Sequence, residues 1–398
     1  MIPRKVATIG LMLLLVASFA FPNQVAAPDI LQSEEHEPIF INGNEDLVTT
    51  ATEEGWSGTG TESSPIIMKG LSIDSETHGI HVINVDLYFR IEECMITETE
   101  IGMYQSFGIR LENCSEASIE NCIIWNNEFG ICLSNSDGAY VYRTEIYESV
   151  FGVFVNKSSG VWLHSLDIVV CKVGIRFNES RYAYVDQTII DHCEYSGVEG
   201  IYDYGTLLRH NSIIGSETGV QMDFNENWAI EESMIWSCEV GVDTCNSTGG
   251  YVLRTMVKNC SMIGIHLEHD STNITILECW LGPGNAMNAQ DDGDENMWCE
   301  EVLQIGNYWS DYIGEGSYTI PGSAESVDLY PTSLEDAPSW EDVVTVDGVP
   351  TDNGSTNGST TDGNPFGEPT LIVAMASAVV ILLVAVAMLR SRVSAGVG

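Results

Sequence analysis

Eight glycines set the rhythm of this chain. Gly108, Gly130, Gly152, Gly174, Gly197, Gly219, Gly241 and Gly264 fall 22, 22, 22, 23, 22, 22 and 23 residues apart. Directly after each stands a β-branched residue: Ile109, Ile131, Val153, Ile175, Val198, Val220, Val242 and Ile265. A second apolar column runs through Ile119, Val141, Leu163, Val185, Leu208, Ile230 and Val252, and a third through Ile124, Ile146, Ile168, Ile190, Ile213 and Ile235. A period in the twenties signals a solenoid. Helical repeats would need apolar residues at 3.6 spacing over ten or more positions, and no such run occurs within the repeat. Three short β-branched segments per period instead fit three strands per coil, with coils roughly 4.8 Å apart. The expectation is an all-β solenoid, a parallel β-helix of about nine or ten coils over residues 73–281.

The flanking segments divide the rest of the chain. Residues 1–27 read as a signal peptide: Arg4 and Lys5, an apolar run from Val6 to Phe21, then Val25-Ala26-Ala27. Residues 28–72 are expected to cap the first coil and 282–334 the last. Residues 335–369, rich in Ser, Thr, Gly and Asp, read as a disordered stalk. Leu371 to Leu389 is apolar enough to cross a bilayer, so 370–389 is expected to be a transmembrane helix. Arg390 and Arg392 then mark 390–398 as a cytoplasmic tail. The implied protein is single-pass, with its N-terminal domain outside at the cell surface and its C-terminal helix in the membrane.

Charge narrows the partners. With 58 acidic residues against 15 lysines and arginines, the formal net charge is −43, which repels nucleic acid and favours cations. Asp291, Asp292 and Asp294 form an acidic turn that offers oxygen ligands to Ca²⁺, without the twelve-residue geometry of an EF-hand. Asparagines recur at the turn after the glycine strand, where Asn suits a tight corner. Glycosylation sequons stand at Asn156, Asn178, Asn246, Asn259, Asn273, Asn353 and Asn357. The eleven cysteines recur in columns such as Cys171, Cys193, Cys238 and Cys260, as small residues stacked at a turn. Most are expected to be free, buried thiols.

The outward positions carry the candidate ligand site. Tyr140, Tyr142, Trp162, Tyr182 and Tyr184 lie on successive coils, where rings can stack against the apolar faces of sugars. Arg176 shares the outward column two residues after the glycine with His81, Arg110, Glu199, Asp243 and His266. The same rings could equally cover sheet surface. No compact cluster of two acids and an arginine stands out in the sequence, which argues against catalysis.

Two end motifs bring a family into view. Gly55-Trp56-Ser57-Gly58-Thr59-Gly60-Thr61-Glu62-Ser63-Ser64-Pro65 resembles the segment before the first coil in archaeal surface members of the NosD-like, CASH (carbohydrate-binding and sugar-hydrolase) superfamily. Gly306-Asn307-Tyr308-Trp309-Ser310-Asp311-Tyr312 is similar to their segment after the last. The resemblance spans about residues 39–333 and implies a right-handed parallel β-helix. It also implies a polysaccharide or surface glycan as partner, with lyase or hydrolase activity as the enzymatic alternative. This chain departs where the family often carries a calcium-like loop, because Ile313 to Ile320 holds a single acid, Glu315. Copper, which the name NosD suggests, finds no local support: His78 and His81, or His266 and His269, lack a Cys or Met companion. The sequence therefore predicts a membrane-anchored extracellular protein that binds carbohydrate or acts in adhesion, with a purely structural envelope role as the third class.

Overall fold

The computed structural model describes residues 33–340, apart from Glu76 and residues 99–105. Each coil passes through three sheets in turn. Sheet B contains the six-residue glycine strands, sheet C a strand such as Trp162–His164, and sheet A one such as Asp167–Val169. The three sheets hold 13, 11 and 10 strands in the order A, B and C. Coil-to-coil pairing is parallel throughout them. Register does not slip: Val141 pairs with Leu163, Leu163 with Val185, and Val185 with Leu208. All four are fully buried. One aliphatic interior, shared by every coil, follows from the 22-residue period.

The solenoid has roughly a dozen turns, which corrects the expected nine or ten. The extra turns come from segments read as caps. Sheet A begins at Glu34–Glu35, pairing with Leu71–Ser75, and ends at Thr332–Ser333. Sheet B begins at Ile39–Asn42 and runs to Met287–Asp291. These strands lack the glycine signature, so periodicity alone passes over them. Between them the helix Asn44–Glu54 buries Leu47 and Ala51 at the first coil, and ends at Gly55 in the left-handed conformation.

The expected membrane anchor is also corrected. Among the described residues no helix is long and apolar enough to cross a membrane. The α-helix described there, Asn44–Glu54, has eleven residues, many of them polar. The segment 370–389, the signal segment 1–27 and the stalk 341–369 lie outside the described residues, as do Asn353 and Asn357. The single-pass topology, the cell-surface placement and the membrane as partner therefore have no support among the described residues.

The glycine column is a steric requirement. A Cβ at Gly152 would stand 2.5 Å from the carbonyl oxygen of Gly174 and 2.6 Å from Ile168 Cγ2. Side chains at the corners complete the ladders. Ser136 N–H donates to Ser158 Oγ at 2.9 Å, Ser180 N–H to Asp203 Oδ1 at 2.7 Å, and Asp203 N–H to Asn225 Oδ1 at 2.7 Å. Asn225 donates its spare Nδ2 to Met222 Sδ. Asp203, one coil earlier, has Gly200 in place of Met222, and its buried Oδ2 has no hydrogen-bond partner. Gly200 thus makes room for Asn225, Met222 and Asp203. The last coil is closed by the second end motif. Asn307 donates to the carbonyls of Ile276 and Trp298, while Trp309 Nε1 donates to Asp328 Oδ2 at 2.9 Å and stacks on Tyr318.

Burial pushes the Asp203 carboxyl up to about 7. A folded-state value above the unfolded one gives stability that is complete below the unfolded value of about 3.9 and declines as pH rises through about 7. Asp203→Asn, which copies Asn225, is expected to remove that decline and raise the denaturation midpoint at pH 8. Urea unfolding of both proteins between pH 4 and 8 measures it.

Candidate functional site

On the outer face of sheet C, in-register pairing sets Tyr140 edge-on to Trp162 and Trp162 at a tilt against Tyr184. Ring centroids are 5.4 and 5.6 Å apart. Beside them Tyr142 stacks face to face on His164 at 5.4 Å, with Arg143 over the Tyr142 ring. Four of the expected ligand residues therefore form one surface. Tyr182 sits at the adjoining corner, edge-on to Tyr204. Arg176 lies on sheet B, its Nε 3.4 Å from Glu199 and its guanidinium over Phe151, so it does not join them.

The ladder runs into a charged network. Register continues from His164 to Asp186, Arg209 and Glu231. At the neighbouring corner, His210, Glu232, Arg254 and Glu278 occupy successive coils, each with positive φ. Arg143, Ser165 and Gln187 share that conformation, so it belongs to the corner of every coil. His164 Nδ1 lies 3.1 Å from Asp186 Oδ2, and His210 Nδ1 lies 3.0 Å from Asp186 Oδ1. His210 Nε2 is 2.9 Å from Glu232 Oε2, which also accepts from Arg209 Nη2 at 2.8 Å. Arg254 Nη2 reaches Glu232 Oε1 at 2.8 Å.

Burial decides which groups meet solvent. Asp186, Glu231 and Glu232 are buried and committed, whereas the side chains of His164 and Arg209 remain 19 % and 29 % exposed. Burial opposes charge on Glu232, but hydrogen bonds from His210 and Arg209 hold it down at about 2. Burial likewise opposes the His210 imidazolium, yet Asp186 and Glu232 hold it up at about 9. Tyr184 is pushed well above the ordinary phenol range by burial and by Asp186. Sequence reading named the aromatic half of this surface and missed the charged half. The signal was present: His164, Asp186, Arg209 and Glu231 are spaced 22, 23 and 22 residues apart. Asp186, Arg209 and Glu231 thus bring two acids and an arginine onto successive rungs, a grouping that does not stand out in the sequence.

The acidic turn is arranged differently from a calcium loop. Asp291 points inward, accepting from Gly293 N, Asn296 Nδ2, Trp298 Nε1 and Ser326 Oγ. Asp292 faces outward and accepts from Ser323 N and Gln290 Nε2, while Asp294 lies at an exposed turn. The group able to hold a metal ion is Asp243, His266 and Glu268 on sheet B, with one donor atom from each within 4.8 Å of the others. Among the sequons, Asn246, Asn259 and Asn273 are exposed. Asn156 and Asn178 are partly buried, Asn178 donating to Asn156 Oδ1.

The fold and this surface together define a parallel β-helix protein with an aromatic and ionisable outer face. The family described as periplasmic copper-binding protein (NosD) matches residues 39–202 and 134–314, well over half of the sequence. The chain belongs to that family. No curated protein matches it in sequence. Among solved structures it is similar to the A-module of a mannuronan C-5 epimerase from Azotobacter vinelandii, at 11 % identity over 66 % of this chain and 78 % of that one, TM-score 0.45. An alginate lyase from a Paenibacillus species gives 10 % identity over 64 % and 98 %, TM-score 0.47. A periplasmic alginate epimerase gives 12 % over 76 % and 84 %, TM-score 0.37. At such identities the likeness concerns the winding of the chain. The expectation of a membrane-anchored adhesion protein is corrected here too: among the described residues no helix is long and apolar enough to cross a membrane, and the face assigned to passive binding also carries a network of ion pairs.

The family's description names copper, and the donors present decide whether it fits. Copper(I) prefers thiolate and thioether. Nine of the eleven cysteines are buried free thiols packed in the stack, and the metal-capable group offers one imidazole and two carboxylates. That set fits a divalent ion bound through nitrogen and oxygen, and does not fit copper(I).

The network's contribution to stability is greatest between the ordinary carboxyl value of 4.5 and the ordinary imidazole value of 6.5. It declines as pH falls through about 2, where Glu232 protonates, and as pH rises through about 9, where His210 loses its proton. Glu232→Gln is expected to drop the His210 pKa by at least one unit, measured by NMR titration of the imidazole.

Proposed function

We propose that the outer face of sheet C binds a polysaccharide whose sugars carry carboxylates and abstracts the proton beside that carboxylate, as a lyase or an epimerase. What carries this reading is the placement of His164, Asp186 and Arg209 on three successive rungs alongside the Tyr140–Trp162–Tyr184 ladder. Rings bind the sugar faces, and the exposed Arg209 meets the carboxylate, lowering the cost of the carbanion-like transition state. Asp186 beside Nδ1 orients His164 so that Nε2 is the base. Tyr184, kept protonated, supplies the acid. In a lyase, the electrons of the broken C–H bond form a C=C bond. The neighbouring C–O bond breaks, and the leaving oxygen takes the tyrosine proton. In an epimerase the proton returns from the opposite face. A hydrolase is less well supported, because the carboxylates of this surface are buried and tied to arginine and histidine. The paired end motifs support placing the chain with the archaeal surface type of its family.

Incubation with polymannuronate and polygalacturonate is expected to give unsaturated ends seen by ultraviolet absorbance, or deuterium at the sugar carbon beside the carboxylate. His164→Ala should lower kcat by about 10²–10⁴, and Trp162→Ala should raise KM by about tenfold with kcat nearly unchanged. Binding of these polymers without either reaction would reduce the face to a lectin. Since the net charge is −43, the protein repels a polyanion over about a Debye length, so KM should fall as salt is added.

A further inference from the structure

A second constellation occupies the outer face of sheet B, near the C-terminal end of the stack. Asp243 faces outward from Val240–Cys245, and His266 from the paired strand Ile263–Leu267. Glu268 follows that strand directly, and Asp292 follows the next one, Met287–Asp291. His266 Nδ1 lies 2.9 Å from Asp243 Oδ1 and 4.0 Å from Glu268 Oε1, and its Nε2 lies 3.7 Å from Asp292 Oδ2. The side chains are 18–42 % exposed, so an ion can reach them.

Charge on this face is unbalanced. Asp223, Asp243, Glu268 and Asp292 lie on adjacent rungs, where like charges facing one another destabilise a sheet. The ion pair that the face offers them is with His266. Nearby cations are engaged elsewhere: Arg176 on Glu199, Arg209 and Arg254 on Glu232, and Lys258 over Trp236. Independently, the buried Oδ1 of Asp223 has no hydrogen-bond partner. An acceptor left bare beside three further carboxylates is the signature of a missing positive charge.

We propose that Asp243, His266 and Glu268 bind a divalent first-row transition ion of the zinc kind, His266 ligating through Nδ1, the nitrogen that faces both carboxylates. Ligands about 2.0–2.2 Å from a tetrahedral ion stand roughly 3.3–3.6 Å from one another. The 2.9 and 4.0 Å separations of His266 Nδ1 from Asp243 and Glu268 need only sub-ångström adjustment. An imidazole among the donors selects zinc over calcium, which takes six to eight oxygens. The ion ties two successive coils together, beside the hydrogen bond from Ser323 N to Asp292 that holds the C-terminal cap on the next. This site is separate from the sheet C surface and does not depend on its chemistry.

The test uses the whole chain, stripped with chelator and dialysed at high salt against zinc or calcium, with bound metal measured by mass spectrometry. One zinc per chain is expected. Its affinity should fall at least tenfold in His266→Ala and in Glu268→Gln, and stay unchanged in Asp294→Ala. Calcium should bind at least 100-fold more weakly. Copper(II) used as a probe should show one coordinated nitrogen by electron paramagnetic resonance, lost in His266→Ala. Circular dichroism and thermal melting identify variants that fail to fold, and Glu268→Gln, isosteric and partly exposed, keeps the test valid if His266→Ala does. Three results overturn the proposal: no stoichiometric zinc, zinc binding indifferent to both variants, or calcium bound as tightly as zinc.

Discussion

Hydrogen bonding between one coil and the next is the constraint on which everything else rests. The three long sheets are parallel, so each backbone donor and acceptor in their strands looks along the stack for its partner. Register within those strands is fixed, because one residue of slip would turn the aliphatic columns outward. The glycine column locks it. With Gly174 O and Ile168 Cγ2 pressed against the place a Cβ of Gly152 would occupy, neighbouring coils meet closely at one defined point. Corner serines, threonines and asparagines then satisfy the amides that the sheets leave over, as in the chain of bonds from Ser136 through Ser158 and Ser180 to Asp203.

A rigid interior frees the exterior. Outward positions on each rung have no part in the core, so two unlike surfaces grow on the same repeat. Sheet C alternates aromatic rings with a His–Asp–His–Glu–Arg chain whose charges are mutually compensated. Sheet B gathers carboxylates around a single imidazole. The difference has a simple origin. Arg209 and Arg254 lie one and three coils on from Asp186, whereas no lysine or arginine pairs with Asp243 or Glu268 among the described residues.

Much of this architecture was legible in the sequence because the repeat amplifies its own signal. Val141, Leu163 and Val185 could be placed in one interior before any coordinates, and the structure puts them there. Tyr140, Trp162 and Tyr184 were legible for the same reason. His210 and Glu232 were not, since they occupy a corner column whose members share no chemistry and whose backbone is set by the turn. Terminal strands such as Ile39–Asn42 were hidden because they lack the glycine that marks the inner strands of sheet B. Asp291 misled for a local reason: an acidic run suggests a cation, but Trp298 and Ser326 had already taken its oxygens.

The closing of the last coil has a consequence for how these molecules behave in company. A stack of parallel strands with a bare terminus is a template onto which another such stack can add, and repetition of that event makes a filament. Here Trp309, pinned to Asp328 and covered by Tyr318, puts an indole and a phenol ring where the next rung would dock. The plug fixes the length of the solenoid, and it also keeps many copies at high concentration from joining end to end.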